Sequence, residues 1–137
     1  MTSLLHLKSY AFTQLSIKAI PNGNLTVEPK LDVSINYTIE EQNERRVQFG
    51  IRIDSSDKGI FGYEVIAQIE ALISVNVDYP IQNVEQAACI NSVSILFSAA
   101  REIILTLTGR CIPGPLFLPT VSFVDIINKM KIGEKSK

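Results

Sequence analysis

The sequence predicts an α+β domain: a four-stranded antiparallel sheet followed by a long buried helix, a proline-containing crossing loop and a shorter C-terminal helix. Two observations predict this class. In the first half of the chain apolar residues alternate with polar ones, which is the period of strands that bury one face. In the second half apolar residues recur at helical spacing instead. A run of strands followed by helices is typical of α+β domains.

The first predicted strand, residues 5–20, changes phase twice. Its apolar residues occupy odd positions, then even positions, then odd positions again. They are Leu5, Leu7, Tyr10, Phe12, Leu15 and Ile17. Phase slips of this kind predict β-bulges, because an inserted residue moves the following side chains to the other face. The stretch Pro21–Asn24 contains Asn-Gly and predicts a turn after this strand.

Three cleaner alternating segments follow, joined by short polar connections that favour antiparallel pairing. The segments are residues 25–39, 47–53 and 63–75. We expect the charged stretch 40–46 to be a solvated turn. Pro29 interrupts the first segment, and because proline has no N–H to donate to a neighbouring strand, we expect a sheet edge or a bulge there. The last segment also carries Ile66 and Leu72 on its second face, so we expect it to be covered on both faces.

A helix is predicted over Val93–Thr108, and it is apolar over most of its circumference. Its polar residues Ser94, Ser98, Arg101 and Thr108 fall on one narrow stripe. A helix packed on a single sheet needs an apolar stripe only somewhat wider than about 100°. We therefore expect this helix to be buried on more than one side, with another subunit providing the second side.

The chain after Gly109 is predicted to form the crossing loop, and a second helix is predicted to begin at Ser122 with a pattern that resembles a capping box. The end of the chain is polar and is expected to fray. The sequence thus predicts one domain over residues 1–132 and a disordered tail over residues 133–137.

The composition indicates more apolar surface than a lone domain of this size would bury. Of 137 residues, 46% are hydrophobic and only 20% are charged. The surplus predicts a subunit interface, a ligand-binding surface or a membrane contact. A membrane span is not expected on grounds of length, because polar and charged residues interrupt the most apolar stretch, Ala87–Leu107. No secretory signal pattern opens the chain, so a cytoplasmic location is expected.

The residues that usually carry chemistry form no recognisable pattern here. His6 is the only histidine, and the two cysteines, Cys89 and Cys111, lack the spacing of a metal site and are expected to be free thiols. No glycine motif that cradles phosphate occurs. The net charge is −1 and no basic stripe with aromatic residues is present. We therefore expect no catalytic residue, no metal, no cofactor, no enzymatic activity and no nucleic-acid partner.

The run from Asn91 to Ile104 resembles the signature helix of SecB, the protein-export chaperone family. SecB proteins carry Asn, then Leu-Phe, then Ala-Arg-Glu in this order and spacing, and the same residues stand here. They are Asn91, Leu96, Phe97, Ala100, Arg101 and Glu102. The crossing loop and the start of the second helix in that family match Leu107, Arg110, Leu116, Leu118, Val121 and Phe123. The segment Pro29–Val33 resembles the family's second strand.

This resemblance implies a homo-oligomer in which subunits pair into dimers and dimers stack into a homotetramer, with the long helices sandwiched between sheets. In such an assembly another subunit would contact the apolar side of the helix that does not pack on its own sheet. The implied oligomer interface consists of Leu96, Ala100, Arg101, Glu102, Ile103, Ile104 and Leu107.

The resemblance also implies an ATP-independent holdase, a chaperone that binds unfolded or precursor polypeptides in apolar grooves without chemistry. In that family the grooves are lined by the crossing loop, the second helix and neighbouring strands. The implied lining is Leu31, Val33, Ile112, Leu116, Phe117, Leu118, Val121, Phe123 and Ile127. For each of these residues ordinary core packing is the alternative, and it is favoured for Phe123 and Ile127.

Departures from the family pattern leave several functions open. Ser98 and Ala99 stand where the family usually has proline and tyrosine, and the stretch 15–21 lacks the acidic residues with which most SecB chains dock the translocase motor. A chaperone for protein export and translocation, and one dedicated to a single client such as an antitoxin, therefore fit equally. An acyl-binding or enzymatic domain would need a polar cluster beside the helix, for which only Glu102 with His6 is available. A purely structural adaptor subunit would bury the loop residues in its assembly.

Overall fold

A computed structural model of the chain describes residues 3–119, 121, 123 and 124. In these residues it contains four strands and one long helix. They are β1 (Leu5–Ala19), β2 (Lys30–Ile39), β3 (Glu44–Asp54), β4 (Tyr63–Val75) and α1 (Val84–Thr108). The strands form one antiparallel sheet in the order β1-β4-β3-β2. The predicted α+β class, with a four-stranded antiparallel sheet followed by a long helix, is confirmed. Most of the predicted C-terminal helix, including Ile127, and the predicted tail lie outside the described residues.

Two irregularities interrupt the pairing of β1 with β4. The register shifts between Leu7 and Ser9 and again between Phe12 and Gln14. Both shifts coincide with the phase slips in the sequence, so the predicted bulges are confirmed. As a result the apolar residues of all three parts of β1 pair with odd-numbered residues of β4, which share its buried face. The bulges thus keep one continuous apolar face across a 15-residue strand.

The edge strand predicted near Pro29 is also present. β2 begins at Lys30, directly after this proline, and pairs on one side only, with β3. The β2–β3 register runs without a shift from the pair Lys30–Asp54 to the pair Ile39–Arg45. Pro29 therefore marks the start of an edge strand rather than a bulge.

α1 packs on one face of the sheet and closes the core. The alternating apolar residues of β3 and β4 on that face are buried beneath the helix. Phe49 on β3, Phe97 on α1 and Phe123 meet one another in edge-on ring contacts, with centroids 5.3 to 6.2 Å apart. Edge-on aromatic pairs of this kind add to the stabilisation from area burial alone. Phe123 consequently belongs to the core of the single chain.

The opposite face of the sheet is largely polar. On β4, Glu64 and Gln68 are exposed there, whereas Ile66 and Leu72 are half-buried between longer neighbours. α1 packs on the other side. Within the described residues of the single chain the second face of β4 stays open, and the expected cover on both faces stays a prediction. On β3, Arg52 stands opposite Ile66 and Arg46 stands opposite Leu72.

α1 begins earlier than the sequence predicts, at Val84 instead of Val93, while its end at Thr108 is confirmed. Asn83 caps it, and its side-chain oxygen accepts a hydrogen bond from the backbone N–H of Gln86 at 3.2 Å. With 25 residues α1 is long and apolar enough to cross a membrane by length and composition, so the argument from length against a span is wrong. The core helix of a globular domain passes the same test, and nine residues of α1 are buried in this domain.

Arg45 is a buried charge at the start of β3, only 2% exposed. Its Nε and Nη2 atoms donate to both carboxylate oxygens of Glu85 in the first turn of α1, at 2.8 and 2.6 Å. Its Nη1 donates to the backbone carbonyls of Glu41, Gln42 and Glu44 at 2.8 to 3.1 Å. The expectation of a solvated turn over residues 40–46 is thus wrong for Arg45, which ties the β2–β3 connection to the helix.

Tyr37 on β2 joins the same cluster. Its hydroxyl donates to Glu85 Oε1 at 2.8 Å. Burial, followed by the hydrogen bond to the Glu85 carboxylate, raises the pKa of Tyr37 well above its usual value, so the tyrosine stays a neutral donor. The first turn of α1 is therefore held by β2 and β3 together.

Replacing Arg45 by methionine should lower the free energy of unfolding by about 3 kcal/mol, because it leaves the partly buried Glu85 carboxylate without its guanidinium partner. Urea denaturation measures this change. The matched control is Arg52→Met, which removes the ion pair between Arg52 and Asp54, where the arginine side chain is 60% exposed. The control should cost less than about 1 kcal/mol. Equal losses for the two variants would contradict a special contribution of the buried pair.

Candidate functional site

The predicted crossing loop, residues 109–119, follows α1, begins with turns and has no regular secondary structure over residues 114–119. Gly114 within it has a φ of +99°, a backbone conformation that favours glycine. Gly109 and Cys111 begin the loop with backbone hydrogen bonds to the carbonyls of Leu105 and Thr108, at 3.1 and 3.0 Å. The loop thus leaves α1 in an ordered turn before it extends.

Thr108 anchors the loop from the last turn of α1. The sequence groups it with the polar stripe of the helix, but its side chain is fully buried. Its hydroxyl donates to the carbonyl of Ile104 at 2.7 Å and accepts from the backbone N–H of Leu116 at 2.8 Å. One hydroxyl therefore connects the end of the helix to the middle of the loop.

Tyr63 anchors the loop from the first residue of β4. It is fully buried, and its hydroxyl donates to the carbonyl of Gly114 at 2.5 Å. The same hydroxyl lies 3.3 Å from the carbonyl oxygen of Thr108. Burial raises the pKa of Tyr63, so the phenol remains protonated and able to donate. Sequence periodicity identifies Tyr63 as a core residue but gives no signal for this hydrogen bond.

The anchored loop presents its apolar residues alternately inward and outward. Leu116 and Leu118 are each 7% exposed and pack into the core, whereas Phe117 between them is 70% exposed. Ile112, nearer to α1, is 95% exposed. These two are the most exposed large apolar side chains among the described residues. Phe117 and Ile112 are therefore the strongest candidates for contact with a bound molecule.

The other residues of the predicted groove are more closely tied to the core. Leu31 and Val33 lie half-buried on the helix face of β2, and Val121 is half-buried against the core. Phe123 is buried in the aromatic cluster, and Ile127 lies outside the described residues. The role of all these residues in client binding stays a prediction.

The predicted interface residues of α1 fall into two groups. Leu96, Ala100 and Ile104 are fully buried within the single chain. The others reach the surface: Arg101, Glu102 and Leu107 are exposed and Ile103 is half-buried. The Arg101 guanidinium lies over the ring of Phe97, 5.7 Å from its centroid, in a cation–π contact. Only the second group is available to a neighbouring subunit, and its role there stays a prediction.

Three further apolar residues are exposed, two on β1 and one on α1. Tyr10 and Leu15 on β1 and Ile95 on α1 keep roughly two fifths or more of their surface exposed. Tyr10 and Leu15 alternate in phase with the half-buried residues of β1, so periodicity assigns them to the core, whereas Ile95 lies on the side of α1 opposite to most of its buried residues.

His6 and Glu102 are not brought together. His6 pairs with Ser74 on the polar face of the sheet, opposite to the face on which α1 packs. Glu102 is exposed on α1. Among the residues that the structure describes, no group of three histidine, cysteine, aspartate or glutamate side chains is placed to hold a metal ion. The polar pair required by the acyl-binding or enzymatic alternative is therefore not assembled.

The sheet, the long helix and the crossing loop together define a SecB-like α+β fold. The chain is similar to the Mycobacterium tuberculosis SecB-like chaperone Rv1957, solved in complex with a ChAD peptide from the HigA1 antitoxin. The TM-score is 0.61 at 12% sequence identity, covering 87% of this chain and 91% of that one. It is also similar to a Streptococcus agalactiae protein of unknown function, with a TM-score of 0.57 at 10% identity, covering 88% and 100%. Neither any known protein-family profile nor any curated protein sequence matches the chain.

The two cysteines differ in their surroundings. Cys89 is fully buried in α1, and burial raises the pKa of its thiol to about 12. Cys111 is half-buried at the start of the crossing loop. Both are free thiols, as predicted. A buried, protonated thiol of this kind behaves as a small apolar group rather than as a nucleophile.

The raised pKa of Cys89 predicts a loss of stability in alkali. Because the thiol ionises near pH 9.0 in the unfolded chain and near 12 in the folded one, its contribution is constant below pH 9 and falls as the pH rises from 9 to 12. The free energy of unfolding should therefore decrease more steeply over this range in the wild type than in Cys89→Ala. The difference in slope should approach about 1.4 kcal/mol per pH unit. Denaturant titrations at several pH values measure it, and identical slopes would contradict the burial of a protonated thiol.

Proposed function

We propose that this protein is a chaperone subunit that holds non-native polypeptides on exposed apolar residues of its crossing loop, without ATP. The observation that carries this proposal is the exposure of Phe117 and Ile112 on a loop that buries Leu116 and Leu118. The SecB-like fold supports it, because a chain of that fold is known in complex with a peptide. The proposed activity is binding rather than chemistry.

The energy of such binding comes from burial of apolar surface. Each Å² removed from water contributes roughly 25 cal/mol, whatever the sequence of the bound segment. Phe117 and Ile112 can therefore hold many different apolar segments, while the half-buried Leu31 and Val33 extend the contact along β2. When the client folds, its apolar segments are buried internally and it is released.

For the client, we favour a dedicated partner such as an antitoxin over general protein export. The M. tuberculosis chaperone of the same fold was solved with a peptide from an antitoxin. The end of β1 here, where most SecB chains carry acidic residues for the translocase motor, contains Lys18 and no acidic residue within residues 15–21. In this proposal the protein acts in the cytoplasm, where an antitoxin would be synthesised.

Assembly of several copies is the second part of the proposal. The outward side of α1 carries Ile95 and Leu107, and β1 carries Tyr10 and Leu15, all exposed in the single chain. Contact between copies through these surfaces would bury them. An oligomer with several loops would also bind one long client at more than one point, which raises the overall affinity through effective concentration.

The wild-type protein should suppress the aggregation of chemically unfolded citrate synthase at stoichiometric amounts in the absence of ATP. The double variant Ile112→Ser/Phe117→Ser should lose most of this suppression, because it removes the two most exposed apolar side chains of the loop. Light scattering during refolding measures both.

The control for this experiment is Ile81→Ser, which removes an exposed isoleucine from the connection before α1. Ile81→Ser should suppress aggregation as the wild type does, and both variants should keep the wild-type circular dichroism spectrum. The proposed binding surface would be refuted if the wild type did not suppress aggregation, or if the double variant suppressed it as well as the wild type does.

Sedimentation velocity should report a species larger than a monomer of 15.2 kDa. Leu107→Glu should shift this species toward the monomer, because a charge in a buried contact between copies carries a desolvation cost. The control variant Ile81→Glu should leave the mass of the assembly unchanged. A monomeric wild type at micromolar concentration would exclude the oligomer.

A further inference from the structure

Two buried hydroxyl groups hold the crossing loop on the two sides of Pro115. Tyr63 donates to the carbonyl of Gly114 at 2.5 Å, and Thr108 accepts from the N–H of Leu116 at 2.8 Å. Both side chains are fully buried, and they belong to different elements, β4 and α1. The backbone around Pro115 is thus attached to the sheet and to the helix separately.

Attachment at these two peptide groups determines where the next side chains point. In an extended segment successive side chains point to opposite sides. Leu116 is held inward next to the hydroxyl of Thr108, and Leu118 is also inward, so Phe117 between them must point to solvent. Without these attachments the backbone around Pro115 would sample other directions, and a smaller fraction of the molecules would hold Phe117 in this outward arrangement.

We propose that Tyr63 and Thr108 are positioning residues for client binding: through Gly114 and Leu116 they keep Phe117 outward before a client arrives. This inference rests on the proposed function. A contact that is already in place binds more tightly, because the apparent Kd rises in inverse proportion to the fraction of molecules in the competent arrangement. Both hydroxyls are buried beneath the loop and act only through its backbone.

The test compares Thr108→Val, which keeps the shape of the side chain and removes the hydroxyl, with Thr108→Ser, which keeps the hydroxyl. The probe is reduced, carboxymethylated α-lactalbumin, a permanently unfolded polypeptide, and fluorescence anisotropy measures its Kd. Thr108→Val should raise the Kd about tenfold, as expected when about one tenth of the loops are competent. Thr108→Ser should bind as the wild type does. Hydrogen exchange of the Leu116 amide should be faster in Thr108→Val only.

Tyr63→Phe provides a second variant, because it removes the hydroxyl that holds Gly114 and should raise the Kd in the same direction. The control for stability is Ile73→Val, which removes one methylene group from the core at the opposite end of β4. This control should lower the Tm and leave the Kd for the probe unchanged. This comparison distinguishes a change in Kd caused by the position of the loop from one caused by lower stability of the domain.

A wild-type Kd in both Thr108→Val and Tyr63→Phe would overturn the positioning role and leave the proposed function intact. A Kd that rises in Ile73→Val in proportion to the loss of Tm would also overturn the positioning role, because the lower stability alone would then explain the rise in Kd. If the wild type did not bind the probe, the proposed function itself would fail and the positioning role with it.

Discussion

Packing of α1 across one face of the sheet is the interaction on which the rest of the structure depends. Burial of apolar side chains is strong but non-directional, so it does not by itself determine how far the helix lies along the sheet. Buried polar contacts at its two ends do. Arg45 on β3 binds Glu85 in the first turn, and the hydroxyl of Tyr63 on β4 lies 3.3 Å from the carbonyl oxygen of Thr108 in the last turn. A displaced helix would leave these groups unpaired, at a cost of about 1 to 3 kcal/mol for each unpaired group.

Periodicity in the sequence predicts most of this fold, including its irregular parts. The two phase slips in β1 predict the bulges because side-chain direction alternates strictly along a strand, so a slip in the pattern requires an extra residue. Pro29 predicts the edge of the sheet because proline has no N–H to donate to a neighbouring strand. The start of α1 is missed because residues 84–92 mix Glu85, Gln86 and Asn91 with small apolar residues and show no clear stripe. Asn83, an ordinary N-cap residue, is the signal that was available.

The candidate site is less accessible to sequence reasoning than the fold. Leu116, Phe117 and Leu118 are three consecutive apolar residues, and only the backbone direction set by the anchors separates the outward one from the inward two. The anchors themselves are polar, so pattern analysis assigns Thr108 to the solvent side of the helix. Because a hydroxyl is small enough to be buried once its hydrogen bonds are made, composition alone gives no indication of its position.

The prolines of the crossing loop explain why side chains, rather than a neighbouring strand, must hold it. Pro113, Pro115 and Pro119 lack the N–H that a β-ladder requires, so the segment is extended but poorly suited to pair as a strand. An exposed apolar segment that could pair would recruit other strand edges and aggregate. Prolines remove that route, and two buried hydroxyls supply the order that the missing ladder would have given. The loop can then expose Phe117 as a side-chain contact while offering little backbone for unwanted pairing.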